Sequence, residues 1–236
     1  MRALPFLLAL VSLPTFAVPQ FKAGLNDTGV MQCIYNTVIV PCESSYIGNS
    51  SEYGPSQDAR YGRDAAQAMG LLPAKIGGGA AGFDFTPLDA SGNVIALTGT
   101  PSVPAAIPAC TRDNVTGLIW EVKTAANMND TFTWADAANY ASSTNSAGLC
   151  GAHSGWRVPT RRELLSIVHR GTGILAIDTN YFPNTANDSF WSSAFWSSDI
   201  YRPNTDLLWT VLFYDGSTDA LSQSSNSHIR LVRSGQ

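Results

Sequence analysis

Four cysteines, Cys33, Cys42, Cys110 and Cys150, follow an N-terminal run in which Ala3 to Phe16 is nearly all apolar. Together these features restrict the chain more than anything else in it. Arg2 supplies a short basic start, Thr15-Phe16-Ala17 ends in a small residue suited to signal peptidase, and Pro19 lies close behind. The apolar run is too short for a stable membrane span and reads as a cleavable signal peptide over residues 1–17. No Cys follows the cleavage site to take a lipid anchor, and no later segment is long and apolar enough to cross a bilayer. In an oxidising compartment an even number of cysteines makes two disulfides the default. Three pairings exist. A short Cys33–Cys42 loop and a longer Cys110–Cys150 loop are favoured. Metal binding fails on spacing: there is no CxxC, and His153, His169 and His228 are scattered. The expectation is an exported protein, periplasmic, cell-surface or extracellular, with no metal and no other cofactor.

The net charge is −4, and loss of Arg2 with the leader makes it more acidic. Lys and Arg form no runs, so the basic footprint that counterion release requires is missing, and no nucleic-acid partner is expected. Charged residues are only 14% of the chain, which leaves the surface to Ser, Thr, Asn and Gly.

Residues 18–109 show little periodicity and read as a loop-rich region with a small disulfide loop. Val30 to Tyr35 and Thr37 to Val40 are candidate strands, Asp64 to Met69 a candidate helical turn, and Thr98 to Pro108, with three prolines, a linker. Signals sharpen from Cys110. Leu118, Trp120 and Val122 alternate with Ile119, Glu121 and Lys123, a strand of period two. Thr133 precedes an Ala-rich helix from Trp134 to Ala141, with Asp136 placed for a capping interaction. Thr160-Arg-Arg-Glu163 is a capping box ahead of Leu164, Leu165, Ile167 and Val168. Phe190 to Phe195, Leu207 to Tyr214 and His228 to Val232 are strand candidates, with a turn at Asp215-Gly216. Strand, two helices, then several strands is an α+β order with a mostly antiparallel sheet.

Several motifs in order carry a family resemblance. They are Asp113-x-x-Thr116-Gly-Leu-x-Trp120-Glu121, Thr133-Trp134, Gly155-Trp-Arg-Val-Pro-Thr160-x-x-Glu163-Leu164, Ile177-Asp178 and Phe182-Pro183. After them come Phe-Trp-Ser-Ser, Trp209-x-Val-x-Phe213-x-x-Gly216 and Ile229-Arg-Leu-Val-Arg233. The series resembles the Lcl C-terminal domain, named for the Legionella collagen-like adhesin, over residues 110–236. The resemblance implies a C-type-lectin-like domain with two helices packed against mostly antiparallel strands, related in fold to sulfatase-modifying enzymes. It also supports pairing Cys110 with Cys150. The adhesin binds sulfated glycosaminoglycans; this chain lacks collagen repeats and is acidic. It also doubles the usual motif, as Phe190-Trp-Ser-Ser193 and Phe195-Trp-Ser-Ser198. The spacing to Trp209 favours Trp196 for the family position, while the spacing from Phe182-Pro183 favours Trp191.

Catalytic readings are weak. Gly77-x-Gly79-x-x-Gly82 matches a dinucleotide fingerprint but is followed by Phe83-Asp-Phe-Thr-Pro87, not a helix start, so a flexible loop is expected. Ser154 is out of register for a nucleophile elbow, and no local pair of carboxylates stands out for glycoside hydrolysis. The cysteines are better explained as disulfides than as the reactive thiols of sulfatase-modifying enzymes. Clustered calcium ligands are not evident. Arg157, Glu163, Arg230 and Arg233 are expected to lock the fold through fork-shaped pairing with carboxylates or carbonyls. Trp120, Trp134, Trp156 and Trp209 are expected in the core.

The function expected is a non-catalytic surface recognition or adhesion module for a glycan or protein. Its binding face would lie on loops at Asp199 to Asp206 and Ser217 to Asn226, with Tyr201, Arg202, Asn204, Asp206 and Tyr214 in contact with ligand. The alternative is a structural or accessory component of a pilus or envelope assembly.

Overall fold

The structure, a computed structural model, describes residues 26–35, 38–40, 62–186 and 193–235. Among them the chain is α+β with mostly antiparallel sheets. The expected leader, Cys42 and Trp191 lie outside the described residues.

The N-terminal part holds a hairpin of β1 (Cys33–Tyr35) and β2 (Val38–Val40), in register Cys33 to Val40. Cys33 is buried and disulfide-bonded. Helix α1 (Arg63–Ala68) starts where Asp27 Oδ2 accepts the Arg63 N–H at 2.6 Å. The glycine-rich stretch after it is not the flexible loop expected from composition. Lys75 donates to the carbonyls of Gly79, at 2.9 Å, and Ala81. Asp84 accepts the N–H groups of Ile76 and Gly77, and Asp178 accepts that of Ala80. A Cβ on Gly77 would sit 2.0 Å from the Phe85 carbonyl oxygen, so this glycine is needed for close packing.

A four-stranded antiparallel sheet follows. β3 (Phe85–Leu88), β6 (Cys110–Asp113), β7 (Leu118–Glu121) and β11 (Val232–Ser234) lie in the order β11-β7-β6-β3. Its edge strand β3 therefore comes from before Cys110, and the segment expected as a linker carries a small hairpin, β4 (Leu97–Thr98) with β5 (Val103–Pro104). The Asp113 to Gly117 motif is the β6–β7 turn. The Asp113 carboxylate accepts from Val115 N at 2.9 Å and from Thr116 Oγ1 at 2.6 Å, and Gly117 takes a positive φ.

Helix α2 (Trp134–Ala147) runs past the expected end at Ala141 and stops at Gly148 in the left-handed region. Thr133 donates its hydroxyl to Asp136 Oδ2 at 2.7 Å rather than capping a backbone N–H. The chain then turns through Cys150, which is bonded to Cys110 and ties this turn to β6. Helix α3 (Arg161–Leu165) has both halves of the Thr160–Glu163 capping box and ends before Ile167 and Val168, which are nevertheless buried.

The last strands, β8 (Ala194–Ile200), β9 (Leu207–Leu212) and β10 (Thr218–Ser222), form a second antiparallel sheet ordered β10-β9-β8. The predicted Asp215-Gly216 turn joins β9 to β10, with Gly216 at positive φ. Residues 227–232 link the two sheets, His228 bridging to Phe195 of β8 and Val232 opening β11, with further bridges from Ser227 to Phe132 and from Val232 to Arg157.

Two apolar clusters fill the interior. Trp120, Phe195 and Val232 belong to one, with Phe83, Phe85, Leu164 and Phe213. Ile119, Trp196 and Leu231 belong to the other, with Leu88, Cys110, Cys150 and Ile229. Adjacent residues on β7, on β8 and at the start of β11 thus belong to different cores, as a period of two requires. Trp196 is fully buried and donates its indole N–H to the Phe132 carbonyl at 2.8 Å.

Candidate functional site

β8 emerges from the core as it runs. Ala194 to Ser197 are buried, Ser198 and Ile200 are exposed, and Asp199 is half-buried. Asp199 Oδ2 accepts the Arg161 N–H at 2.7 Å, which ties the end of β8 to the first turn of α3. Local bonds close the loop from Tyr201 to Asp206. Tyr201 N–H donates to the Leu207 carbonyl at 2.9 Å, Asn204 N–H to the Tyr201 carbonyl at 3.0 Å, and Asp206 N–H to Asn204 Oδ1 at 3.1 Å. The far end of β10 laces onto it: Gln223 donates to the carbonyls of Thr205, at 3.0 Å, and Asp206, at 3.2 Å.

Two aromatic rings meet at this end of the sheet. Tyr201 and Trp209 are edge to face, with centroids 5.0 Å apart, and both are half-buried. The Arg161 guanidinium lies 4.1 Å from the Trp209 ring centroid. Trp209 was expected in the core. On β9 its neighbours Leu208 and Thr210 point inward, and alternation turns Trp209 the other way. Trp134 is likewise half-buried, while Trp120 and Trp156 are core residues as expected. The end of β8 and the loop after it also border a cavity of about 510 Å³ lined by Ser198, Asp199, Ile200, Arg202 and Thr205.

The structure brings four of the five predicted contact residues together: Tyr201, Arg202, Asn204 and Asp206 share the β8–β9 loop. Tyr214 is at the other end of β9, roughly 20 Å away along a six-residue strand. Its carbonyl accepts the Leu175 N–H and its own N–H donates to Ser193 Oγ. Half of the second predicted loop, Thr218 to Ser222, is strand β10. Sequence reasoning missed Arg161 and Trp209 as members of this surface, whereas Gln223 lies inside the expected Ser217 to Asn226 stretch. The alternation on β9 could have revealed Trp209; Arg161 comes from a distant element and left no local signal.

Chemically, this end offers aromatic area, guanidinium donors at Arg161 and Arg202, and amide and carboxylate groups at Asn204 and Asp206. That combination suits binding by stacking and hydrogen bonds. Among the described residues no group of three or more His, Cys, Asp or Glu is arranged to hold a metal ion.

The most perturbed ionisable groups are elsewhere, packed inside the fold. Lys123 Nζ is 2.9 Å from both Glu121 Oε1 and the Tyr140 hydroxyl, and Tyr140 donates to the same Glu121 oxygen. Glu121 Oε2 accepts the Leu231 N–H at 2.9 Å. Burial pulls the Lys123 ammonium below its ordinary range, against the opposing pull of Glu121. Burial, then the Glu121 charge, push the Tyr140 hydroxyl up, so it stays a donor. Glu121 at the end of β7 and Lys123 two residues beyond it are both buried, as are their neighbours Trp120 and Val122, so this stretch of chain has an interior on each side.

Arg230 departs from the expected pairing with carboxylates or backbone carbonyls. It is fully buried, donates to Thr185 Oγ1 at 2.7 Å, and lies 5.0 to 5.5 Å from the ring centroids of Phe182, Phe195 and Phe213. Burial brings its pKa down to about 10, which leaves it protonated at neutral pH. Arg157 does pair as expected, through a two-pronged contact with Glu163 at 2.8 and 2.6 Å. Arg233 lies 5.5 Å from the Trp156 ring centroid.

The family model described as the Lcl C-terminal domain matches residues 109–233. No curated protein sequence matches the chain.

Proposed function

The chain belongs to the Lcl C-terminal domain family, and from that premise we propose that it is an exported, non-catalytic recognition module of the cell surface that binds a glycan. In this reading the fold is C-type-lectin-like, and the ligand meets the end of the second sheet at Tyr201, Arg202, Asn204, Asp206 and Trp209. The observation that carries the proposal is the Tyr201–Trp209 pair flanked by the Arg161 guanidinium, on the same β8–β9 end that carries a cavity of about 510 Å³ lined by Ser198, Asp199, Ile200, Arg202 and Thr205. Aromatic rings present flat apolar area to sugar C–H groups, and the surrounding amide, carboxylate and guanidinium groups can bond hydroxyls. The site is rigidly held, because Asp199 fastens it to α3 and Gln223 fastens it to β10.

A glycan array probed with residues 18–236 tests the proposal, followed by the variants Tyr201→Ala and Asn204→Ala. Specific glycan binding that falls at least about tenfold in Tyr201→Ala is expected, since truncating an aromatic at a binding centre costs roughly 2 kcal/mol or more. Binding unchanged in both variants would remove this face. Absence of glycan binding together with co-purification of a fixed envelope partner would replace the reading with a structural one.

A further inference from the structure

A second cavity, of about 500 Å³, lies apart from the aromatic site. Its walls come from residues 26–28, from the β6–β7 turn, and from α3 with the segment after it. Its volume is in the range of small-molecule sites. Positions 162, 165 and 166 of the α3 region share one face at helical spacing, while Leu164 points into the core. Leu118, Leu165 and Val168 line the pocket with apolar surface, and all three pack with the larger core cluster.

The polar groups around this pocket are almost all engaged. Asp27 accepts the N–H groups of Gly29 and Arg63. Both oxygens of Glu163 are held by Arg157, and one also accepts the Thr160 N–H. Asn26 and Thr116 both donate to Asp113 Oδ2. Two guanidiniums are the exception. Arg162 is exposed, and its side chain has no hydrogen-bond or salt-bridge partner among the described residues; Arg170 uses Nη2 for the Gly216 carbonyl at 2.9 Å. The pocket therefore offers apolar walls and cationic donors. Asp27 and Glu163 on its lining would repel a multiply charged head, whereas a single carboxylate matches the planar guanidinium fork.

We infer that this pocket binds a small amphipathic monocarboxylate. Its apolar chain lies against Leu118, Leu165 and Val168, and its carboxylate is held by Arg162 and Arg170. The site is independent of the glycan surface, so either reading can fail while the other stands.

Calorimetric titration of residues 18–236 with octanoate and with 1-octanol tests it. Saturable one-to-one binding of octanoate is expected, with 1-octanol about tenfold weaker, because a charge-assisted hydrogen bond contributes on that scale. Arg162→Gln should weaken octanoate binding about tenfold and leave the near-UV circular dichroism unchanged, because Arg162 holds no other group among the described residues. Three results would overturn the inference: no saturable octanoate binding at millimolar concentration, equal affinity for the alcohol, or equal affinity in Arg162→Gln. Binding seen only after removal of the residues before Asn26 would assign the pocket to the chain's own N-terminal segment and overturn it as well.

Discussion

Phe85 stands opposite Asp113 across the β3–β6 ladder, so a residue that precedes the family match is paired with the end of the first strand inside it. Leu88 stands opposite Cys110 at the other end of the same ladder, and Phe83, Phe85 and Leu88 are all buried. A chain starting at residue 109 loses this edge strand and uncovers apolar surface in both core clusters. Such a fragment should show no cooperative urea transition, whereas residues 18–236 should unfold in one. Within the longer chain, Phe85→Ala should cost about 3–5 kcal/mol. A well-folded 109–236 fragment would show that β3 is dispensable.

The buried group of Glu121, Lys123 and Tyr140 should behave as a unit. Lys123→Met removes a desolvated charge and leaves Glu121 with its bonds to Tyr140 and Leu231, yet it also leaves a buried carboxylate without its counter-charge. Breaking one side of a buried pair costs about 3–5 kcal/mol. Glu121→Gln/Lys123→Met, which keeps an acceptor for the Leu231 N–H, should lose clearly less than the sum of the two single variants. Additive losses in a double-mutant cycle read by urea unfolding would argue against mutual compensation.

Glu163 provides a pH signature. Burial raises its pKa, but the Arg157 and Thr160 hydrogen bonds outweigh burial and hold the carboxyl below the ordinary carboxylate range. A carboxyl group whose folded pKa is depressed adds stability that is present above its unfolded pKa and is lost as pH falls through the folded one. Glu163→Gln should therefore lower stability at pH 7, by about 1 kcal/mol for a partly exposed pair. The gap to the unmodified protein should close at pH values below the ordinary carboxylate range. A gap that stays constant on acidification would rule out this ionic contribution.

The Cys110–Cys150 bond closes a span of 40 residues between β6 and the turn after α2. Loop-closure entropy on that scale corresponds to about 4 kcal/mol. Cys110→Ala/Cys150→Ala should shift the urea midpoint accordingly, with the m-value rising because the unfolded chain expands further. A midpoint unchanged by the double substitution would show that the bond adds nothing to stability.

Local physics made much of the architecture legible. The period-two run through Trp120, the Thr160–Glu163 capping box and the Asp215-Gly216 turn depend on neighbours in sequence, and each occurs in the structure. The motif series reached the family. Of the candidate surface, Tyr201, Arg202, Asn204 and Asp206 were accessible to sequence reasoning because one short polar loop carries all four. Tyr214 was grouped with them because sequence distance is a poor guide once a strand intervenes: six extended residues move the chain to the other end of the sheet.

Residue type, spacing and alternation were enough for the α+β order, the helix starts, the Cys110–Cys150 pairing and the family. Long-range packing settled the rest. It buried Glu121 at the end of β7 and Lys123 just beyond it, set Arg230 among three phenylalanine rings, turned Trp209 outward beneath Arg161 and recruited Phe85 into the main sheet. The division has a physical cause. Caps, turns and strand periodicity are energies between residues a few positions apart, whereas burial and cross-sheet partners are set only when segments dozens of residues apart compete for the same interior.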